Sequence, residues 1–203
     1  MMRTTLTRAD LREAILDAVD RLLARFGYRK MTMDDLAREV GIAKRTIYLY
    51  FPSKEEVALS SIDRVIARLL ERLRAITGKP SPADLRLREM LIARILFRFD
   101  SVQDFYESFD EMFAELRPAY LARRERYFAA EAALFAEVLA EGDRRGVFTC
   151  VDVSRTSRAL LTATNALLPY SLSARELGAR ADVEAAVTQI ADLLLDGLRR
   201  RTP

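Results

Sequence analysis

The chain has 203 residues, with 33 Lys and Arg against 30 Asp and Glu, a single Cys and no His. That length can bury a good core as one domain or two small ones, and the lone Cys excludes an intrachain disulfide or cysteine-rich metal site and points to a reducing cytoplasm. With no His and no Gly-rich phosphate loop, the usual nucleophile–base and metal-site constellations are missing, so no catalytic residue, cofactor or metal is predicted.

In chain order, charges from Arg3 onward leave no apolar leader segment. Thr7 and Asp10 cap a first helix whose apolar face is Leu11, Ile15, Ala18, Val19, Leu22 and Phe26, ended by Gly27. Thr32 and Asp35 have the spacing of a capping box for a second helix. Leu36, Ala37 and Val40 give that helix one apolar face, and Gly41 can stop it sharply. Ile42, Ile47 and Phe51 continue the apolar face through a short third helix that Pro52 ends. Ser53 and Glu56 cap a fourth. Two short helices joined around a Gly form a helix-turn-helix, a unit that lays its second helix in the major groove of DNA.

The chemistry of the third helix agrees. No acid stands between Val40 and Lys54, whereas Lys44, Arg45 and Lys54 are basic. Lys44, Arg45, Thr46, Tyr48, Leu49 and Tyr50 fall on the side away from Ile47 and Phe51. Arg and Lys donate to guanine, Thr offers a hydroxyl or methyl, and Tyr reaches phosphate. Lys54 stands at the start of the next helix, where free N–H groups favour an anion. Charge is also uneven: residues 1–54 hold 11 Lys/Arg and 7 Asp/Glu, a net of +4, and the remainder 22 and 23, a net of −1. The basic end is the one expected to meet a polyanion.

Residues 1 to about 60 resemble the N-terminal domain of the TetR family of bacterial transcriptional regulators. The resemblance is carried by Ile15, Ala18, Phe26-Gly27-Tyr28, Thr32, Leu36-Ala37, Val40-Gly41, Thr46-Ile47-Tyr48, Tyr50-Phe51 and Lys54-Glu55. It implies an all-α protein with a three-helix DNA-binding domain and a larger helical domain that binds a small ligand and dimerises. It adds Thr32 and Ala43 to the DNA-binding set. Ala43 departs from the pattern, because the family usually has Ser or Thr there, and losing such a cap costs about 1 kcal/mol.

The rest of the chain reads as helices. One from Ser53 carries Val57, Ile62, Ile66, Leu69, Leu70 and Leu73 and frays at Thr77-Gly78. Residues 78–82, GKPSP, are the clearest punctuation, and Pro82 at a first helical position starts the next helix. We divide the chain into a DNA-binding domain, 1–54, and an effector-binding and dimerisation domain, 55–203. Met90 to Phe99 is apolar on most sides and should be buried. A short helix around Val102–Phe113, a break at Pro118 and a long helix to about Arg145 follow. Two more run from Ser154 to Leu168 and from Asp182 to Arg201. The longest uncharged run, Ala159 to Ala174, is shorter than the ~18 apolar residues of a membrane span. A soluble cytoplasmic protein with no membrane partner is expected.

Within the larger domain, Val183, Val187, Ile190 and Leu194 recur at the spacing of a packed helix seam. Leu160, Leu161, Thr164 and Leu168 offer a matching face. These read either as a homodimer interface, which the resemblance implies as a four-helix contact, or as burial within one chain. Phe97, Phe105, Phe109, Phe113 and Tyr127 belong to an aromatic-rich stretch that either lines an effector pocket or fills core. Arg94, set among Ile92, Ala93, Ile95 and Leu96, needs a partner: a ligand carboxylate or an internal acid. Asn165 is either a ligand contact or a polar link across the dimer. The expected function is a dimeric, sequence-specific regulator, a repressor that a small hydrophobic effector releases from a palindromic double-stranded operator. A helical ligand-binding or adaptor protein without operator binding is the competing reading. Asp100, Asp104 and Glu107 are acidic neighbours beside the aromatic stretch that an enzyme reading would use, but acid pairs are common on solvated helix faces.

Overall fold

The computed structural model describes residues 7–103, 106–150, 152–168, 176 and 178–199. Among these residues there are eight α-helices: α1 Arg8–Lys30, α2 Met33–Val40, α3 Lys44–Tyr48, α4 Lys54–Thr77, α5 Ala83–Ser101, α6 Tyr106–Arg144, α7 Val153–Thr164 and α8 Arg180–Leu198. A 3-10 turn, Asn165–Leu167, follows α7, and a single antiparallel bridge joins Phe148 to Arg199. The all-α expectation holds. No described helix is long and apolar enough to cross a membrane.

The chain forms two compact units. The first is Met1–Arg64 with Asp104–Tyr120, and the second is Val65–Gln103 with Leu121–Pro203. The division therefore falls inside α4, ten residues beyond the boundary placed at residue 54. The reason is local: the first turns of α4 bury Val57, Ala58 and Leu59, and Arg64 is bonded to α1.

The caps act where the sequence places them. Thr7 and Asp10 close a full capping box on α1, Thr32 and Asp35 another on α2, and the Glu56 N–H donates to Ser53 Oγ at 3.0 Å. Helix α1 is interrupted at Gly27 (φ 75°) and resumes for one turn to Lys30. Helix α5 begins at Ala83, so Pro82 is its N-cap rather than its first residue.

The break expected at Pro118 does not occur, because α6 runs unbroken through it. A proline in a helix removes one hydrogen bond to the residue four positions earlier. Here Pro118 and Ala114 are both exposed, so water can reach that carbonyl, while Met112, Leu116, Tyr120 and Tyr127 keep an apolar face buried on both sides of the proline.

The second unit is centred on one apolar cluster that includes Leu69, Leu73, Leu87, Met90, Leu91, Phe135, Leu139, Phe148, Leu160, Leu161, Ala191 and Leu195. A smaller cluster joins Ile95, Leu96, Phe99, Leu168, Val183 and Val187. Polar ties fix the helices around them. Arg86, itself buried, donates to the Thr77 carbonyl at 2.6 Å and pairs with Glu141 at 2.7 Å, and Arg88 pairs with Asp192 at 2.6 Å. At Gly142 the packing allows no side chain, since a Cβ would lie 2.3 Å from the buried Phe148 ring and 3.2 Å from Ala83 Cβ. Gly142→Ala should therefore cost about 1–3 kcal/mol of stability, as overpacking does. A thermal melt that leaves Tm unchanged would contradict this.

Candidate DNA-binding surface and effector region

In the first unit, α2 ends in a left-handed Gly41 (φ 74°). Its N–H donates to the Arg38 carbonyl at 3.3 Å, and the next N–H, of Ile42, donates to Ala37 at 3.0 Å. This is the paired arrangement that closes a helix and turns the chain at once. Helix α3 follows after three residues, held from beneath by Ile47 and Phe51, which are 0% and 1% exposed. Lys44, Arg45, Tyr48 and Leu49 stand on its exposed side, Leu49 at 68% exposure, and Thr46 and Tyr50 are half-buried.

Several predicted DNA contacts already have protein partners. Lys44 Nζ donates to Asp34 Oδ2 at 2.8 Å, a hydrogen bond that raises the lysine's pKa. Lys54 points back to α1: its Nζ donates to the Arg29 carbonyl at 3.1 Å and lies 4.3 Å from the centre of the Tyr28 ring. Burial pushes the pKa of Lys54 down. Thr32 caps α2, its hydroxyl accepting from the Asp35 N–H at 3.1 Å and donating to the Asp35 carboxylate at 2.6 Å. Ala43 is the N-cap of α3 and offers no side-chain bond, as its lack of a hydroxyl dictates. Arg45, Tyr48 and Leu49 remain the plainly outward set. The roles of Asp34 and Tyr28 escaped the sequence reading, which scanned the third helix and not the residues that its lysines meet.

Helices α1 and α4 are joined by a charged clamp. The buried Arg64 guanidinium donates to Asp17 at 2.7 Å, Asp20 at 2.6 Å and Glu13 at 3.3 Å. Ser61 Oγ adds a bond to Asp20 at 2.6 Å. Asp17, Asp20 and Ser61 attracted no notice in the sequence, because their convergence depends on how two distant helices pack.

The second unit contains a buried polar network around Arg94, which is 1% exposed. Its Nε donates to Glu131 at 2.6 Å, Nη1 to Thr164 Oγ1 at 2.8 Å and to the Leu161 carbonyl at 3.4 Å, and Nη2 to Asn165 Oδ1 at 2.8 Å. Arg98, one turn on, makes a bidentate contact with the same carboxylate. Burial pushes the Glu131 carboxyl up, but the charges of Arg98 and Arg94 and their hydrogen bonds outweigh it and hold the group below the usual carboxylate range. Of the two partners open to Arg94, the structure supplies the internal acid. Glu131 was legible in principle: it is the one charge in Ala129–Ala133, the mirror of Arg94 in its own apolar run.

The described aromatic candidates fall in both units. Phe97 is half-buried in a cleft of 570 Å³ with Ile92 and Leu96, while Tyr127 is buried. Phe113 lies edge-on to Tyr120, ring centres 5.1 Å apart, in the first unit. Phe105 and the side chain of Phe109 lie outside the described residues. Asn165 lines a separate cleft of 420 Å³ between α6 and α7. Asp100 is held by Arg180 at 2.8 Å.

The helix seam read as an interface faces inward. Leu160, Leu161, Thr164, Leu168, Val183 and Val187 are each at most 3% exposed within one chain, so they pack its own core; Ile190 and Leu194 are half-buried. Periodicity reports that a face is buried and says nothing of which chain buries it. The outer sides of these helices carry Ala159, Ala163 and Ala166 on α7 and the following turn, and Gln189 and Leu193 on α8.

The profile described as "Bacterial regulatory proteins, tetR family" matches residues 15–60, and the one described as "Tetracyclin repressor-like, C-terminal domain" matches residues 83–194. The chain is 39% identical over 83 residues to the HTH-type transcriptional regulator EthR of Mycobacterium tuberculosis, across 40% of this chain and 38% of that protein. It spans about two fifths of the length of the curated relatives it matches. Among solved structures, a transcriptional regulator of the TetR/AcrR family from Thermobifida fusca is 30% identical, across 94% of this chain and 100% of that one, with a TM-score of 0.65. A transcriptional regulator from Cytophaga hutchinsonii shares the fold at 20% identity, with 93% and 98% covered and a TM-score of 0.75. The family consists of regulators and not of enzymes. With one profile on the helix-turn-helix and another on more than half of the chain, this protein belongs to the TetR family of bacterial transcriptional regulators, which bind DNA through that helix-turn-helix.

Proposed function

We propose that this chain is a dimeric, sequence-specific repressor that binds a palindromic operator and leaves it when a small hydrophobic effector occupies the C-terminal domain. The observation that carries the reading is the outward face of α3, where Arg45, Tyr48 and Leu49 are exposed above the buried Ile47 and Phe51. An exposed basic and aromatic surface of that kind suits the major groove. Two-fold symmetry would set the two recognition helices about 34–36 Å apart, one helical turn of DNA. The outer sides of α7 and α8 are the faces open to a second copy, with Leu193 at 68% exposure and small Ala159 and Ala163 permitting close approach. Helix α4 runs from Lys54 in the first unit to Thr77 in the second, so a shift at its far end could alter the spacing of the recognition helices. An effector lowers operator affinity only as far as it prefers the released state.

Selection of double-stranded DNA from a random library tests this, with the wild type beside an Arg45→Ala, Tyr48→Ala variant. The wild type should enrich a palindrome. Each lost base contact removes about 1–3 kcal/mol, so the variant should fall to salt-sensitive background. A wild type that enriches nothing above that background would remove operator binding from the account.

A further inference from the structure

Lys44 is the first residue of α3 and Asp34 stands in the first turn of α2, and their exposed side chains meet at 2.8 Å. The cap of α2 is closed by Asp35 with Thr32, so Asp34 takes no part in it. We propose that Lys44 and Asp34 act as one unit that reads a G·C base pair in each operator half-site, the ammonium on guanine and the carboxylate on cytosine. This rests on the reading of the chain as an operator-binding regulator.

An ion pair of this kind is poorly suited to a phosphate. Its net charge is zero, and its acid repels the oxygens that a lone lysine would attract. Base edges are neutral and present donors and acceptors side by side, which is the complement such a pair needs. Position agrees with chemistry, since the N-terminal residues of a recognition helix are the ones that meet base edges.

The number of hydrogen-bonding groups then selects the base pair. An ammonium has three N–H groups, of which one goes to Asp34 Oδ2 and two remain. Among the described residues, Asp34 Oδ1 has no hydrogen-bond partner. Across the major groove a G·C pair shows guanine N7 and O6, both acceptors, and then the cytosine N4 donor. O6 and N4 are themselves joined by a base-pairing hydrogen bond of about 2.9 Å, which matches the 2.8 Å between Lys44 and Asp34. The two remaining lysine N–H groups can thus meet N7 and O6 while the carboxylate accepts from N4. An A·T pair shows an acceptor, a donor, an acceptor and a methyl group. There the carboxylate on adenine N6 lies beside the N7 acceptor, and one lysine N–H faces the thymine methyl. Three matched bonds against two and a repulsion favour G·C.

Selection of duplexes from a random library with the wild type, Lys44→Ala and Asp34→Ala tests the proposal, each variant being shown to be folded by a thermal melt. The wild-type half-site should contain a G·C pair whose exchange for A·T weakens binding about tenfold, ~1.4 kcal/mol. Both variants should bind those two duplexes within about twofold of each other while keeping discrimination at other positions. The charge-neutral double change Asp34→Asn, Lys44→Gln separates base contact from phosphate contact. Its plot of log affinity against log salt should keep the wild-type slope, whereas loss of a lysine–phosphate contact would lower that slope by about 0.9. A palindrome in which neither variant relaxes a G·C position, or a lowered slope in the double variant, would overturn the assignment and leave operator binding intact. A wild type that enriches no duplex would instead remove operator binding itself, and the role of the pair with it.

Discussion

Glu131→Ala should be the most damaging single change in the second unit, at about 3–5 kcal/mol by urea denaturation. Both partners of the Arg94–Glu131 pair are 1% exposed at the side chain, so removal of the carboxylate takes from two buried guanidinium groups the acid they share. The loss measures the removal of one charge from a buried set, because a buried ion pair itself is often no better than a well-packed apolar replacement. Replacing Arg94, Arg98 and Glu131 together by Met, Met and Leu should therefore recover much of the lost stability. Full recovery is not expected, since Thr164 Oγ1 and Asn165 Oδ1 would lose the donor they now accept from. A triple variant less stable than Glu131→Ala would show that the pair contributes net stability. The same carboxyl sets an acid limb. Its pKa is lower folded than unfolded, so between those two values the folded state holds fewer protons, and its stability is present above the unfolded value and falls as pH drops below about 4.3. Denaturation midpoints followed from pH 7 to pH 3 should decline on that limb, and Glu131→Gln should flatten it.

Arg64→Met should be the corresponding lesion in the first unit, at about 2 kcal/mol. The estimate is smaller because Glu13, Asp17 and Asp20 are 40–56% exposed and can return to water once the guanidinium is gone. Their mutual repulsion then acts on α1, which packs against α2 of the helix-turn-helix. Arg64→Lys retains the charge and loses the fork that spans three carboxylates, so it should fall between wild type and Met. If denaturation midpoints rank Lys with Met, the geometry of the guanidinium decides the clamp; if Lys equals wild type, charge alone suffices. Operator affinity of the Lys variant, measured where it is fully folded, reports separately on the positioning of α1.

Local chemistry made much of the fold readable. Thr7 with Asp10, Thr32 with Asp35, Gly41, Ser53 and the 78–82 punctuation each act through bonds or dihedrals within about four residues, and each helix end they mark is where the structure has it to within a residue or so. The third helix announced its outward face for the same reason, since Ile47 and Phe51 fix the inward one. Arg94 announced a need for a partner, because an isolated guanidinium cannot be buried in apolar surroundings. What lay beyond the sequence was whatever required two distant segments to be in register. Glu131 answers Arg94 across 37 positions and Arg64 meets Asp17 across 47, and no spacing rule reaches that far. Nor could periodicity tell that Leu160, Val183 and Val187 are buried by their own chain, or that Pro118 would sit on an exposed face where α6 tolerates it. Short-range stereochemistry determined the elements and the outward face of α3; packing alone decided which charges meet and which seam is internal.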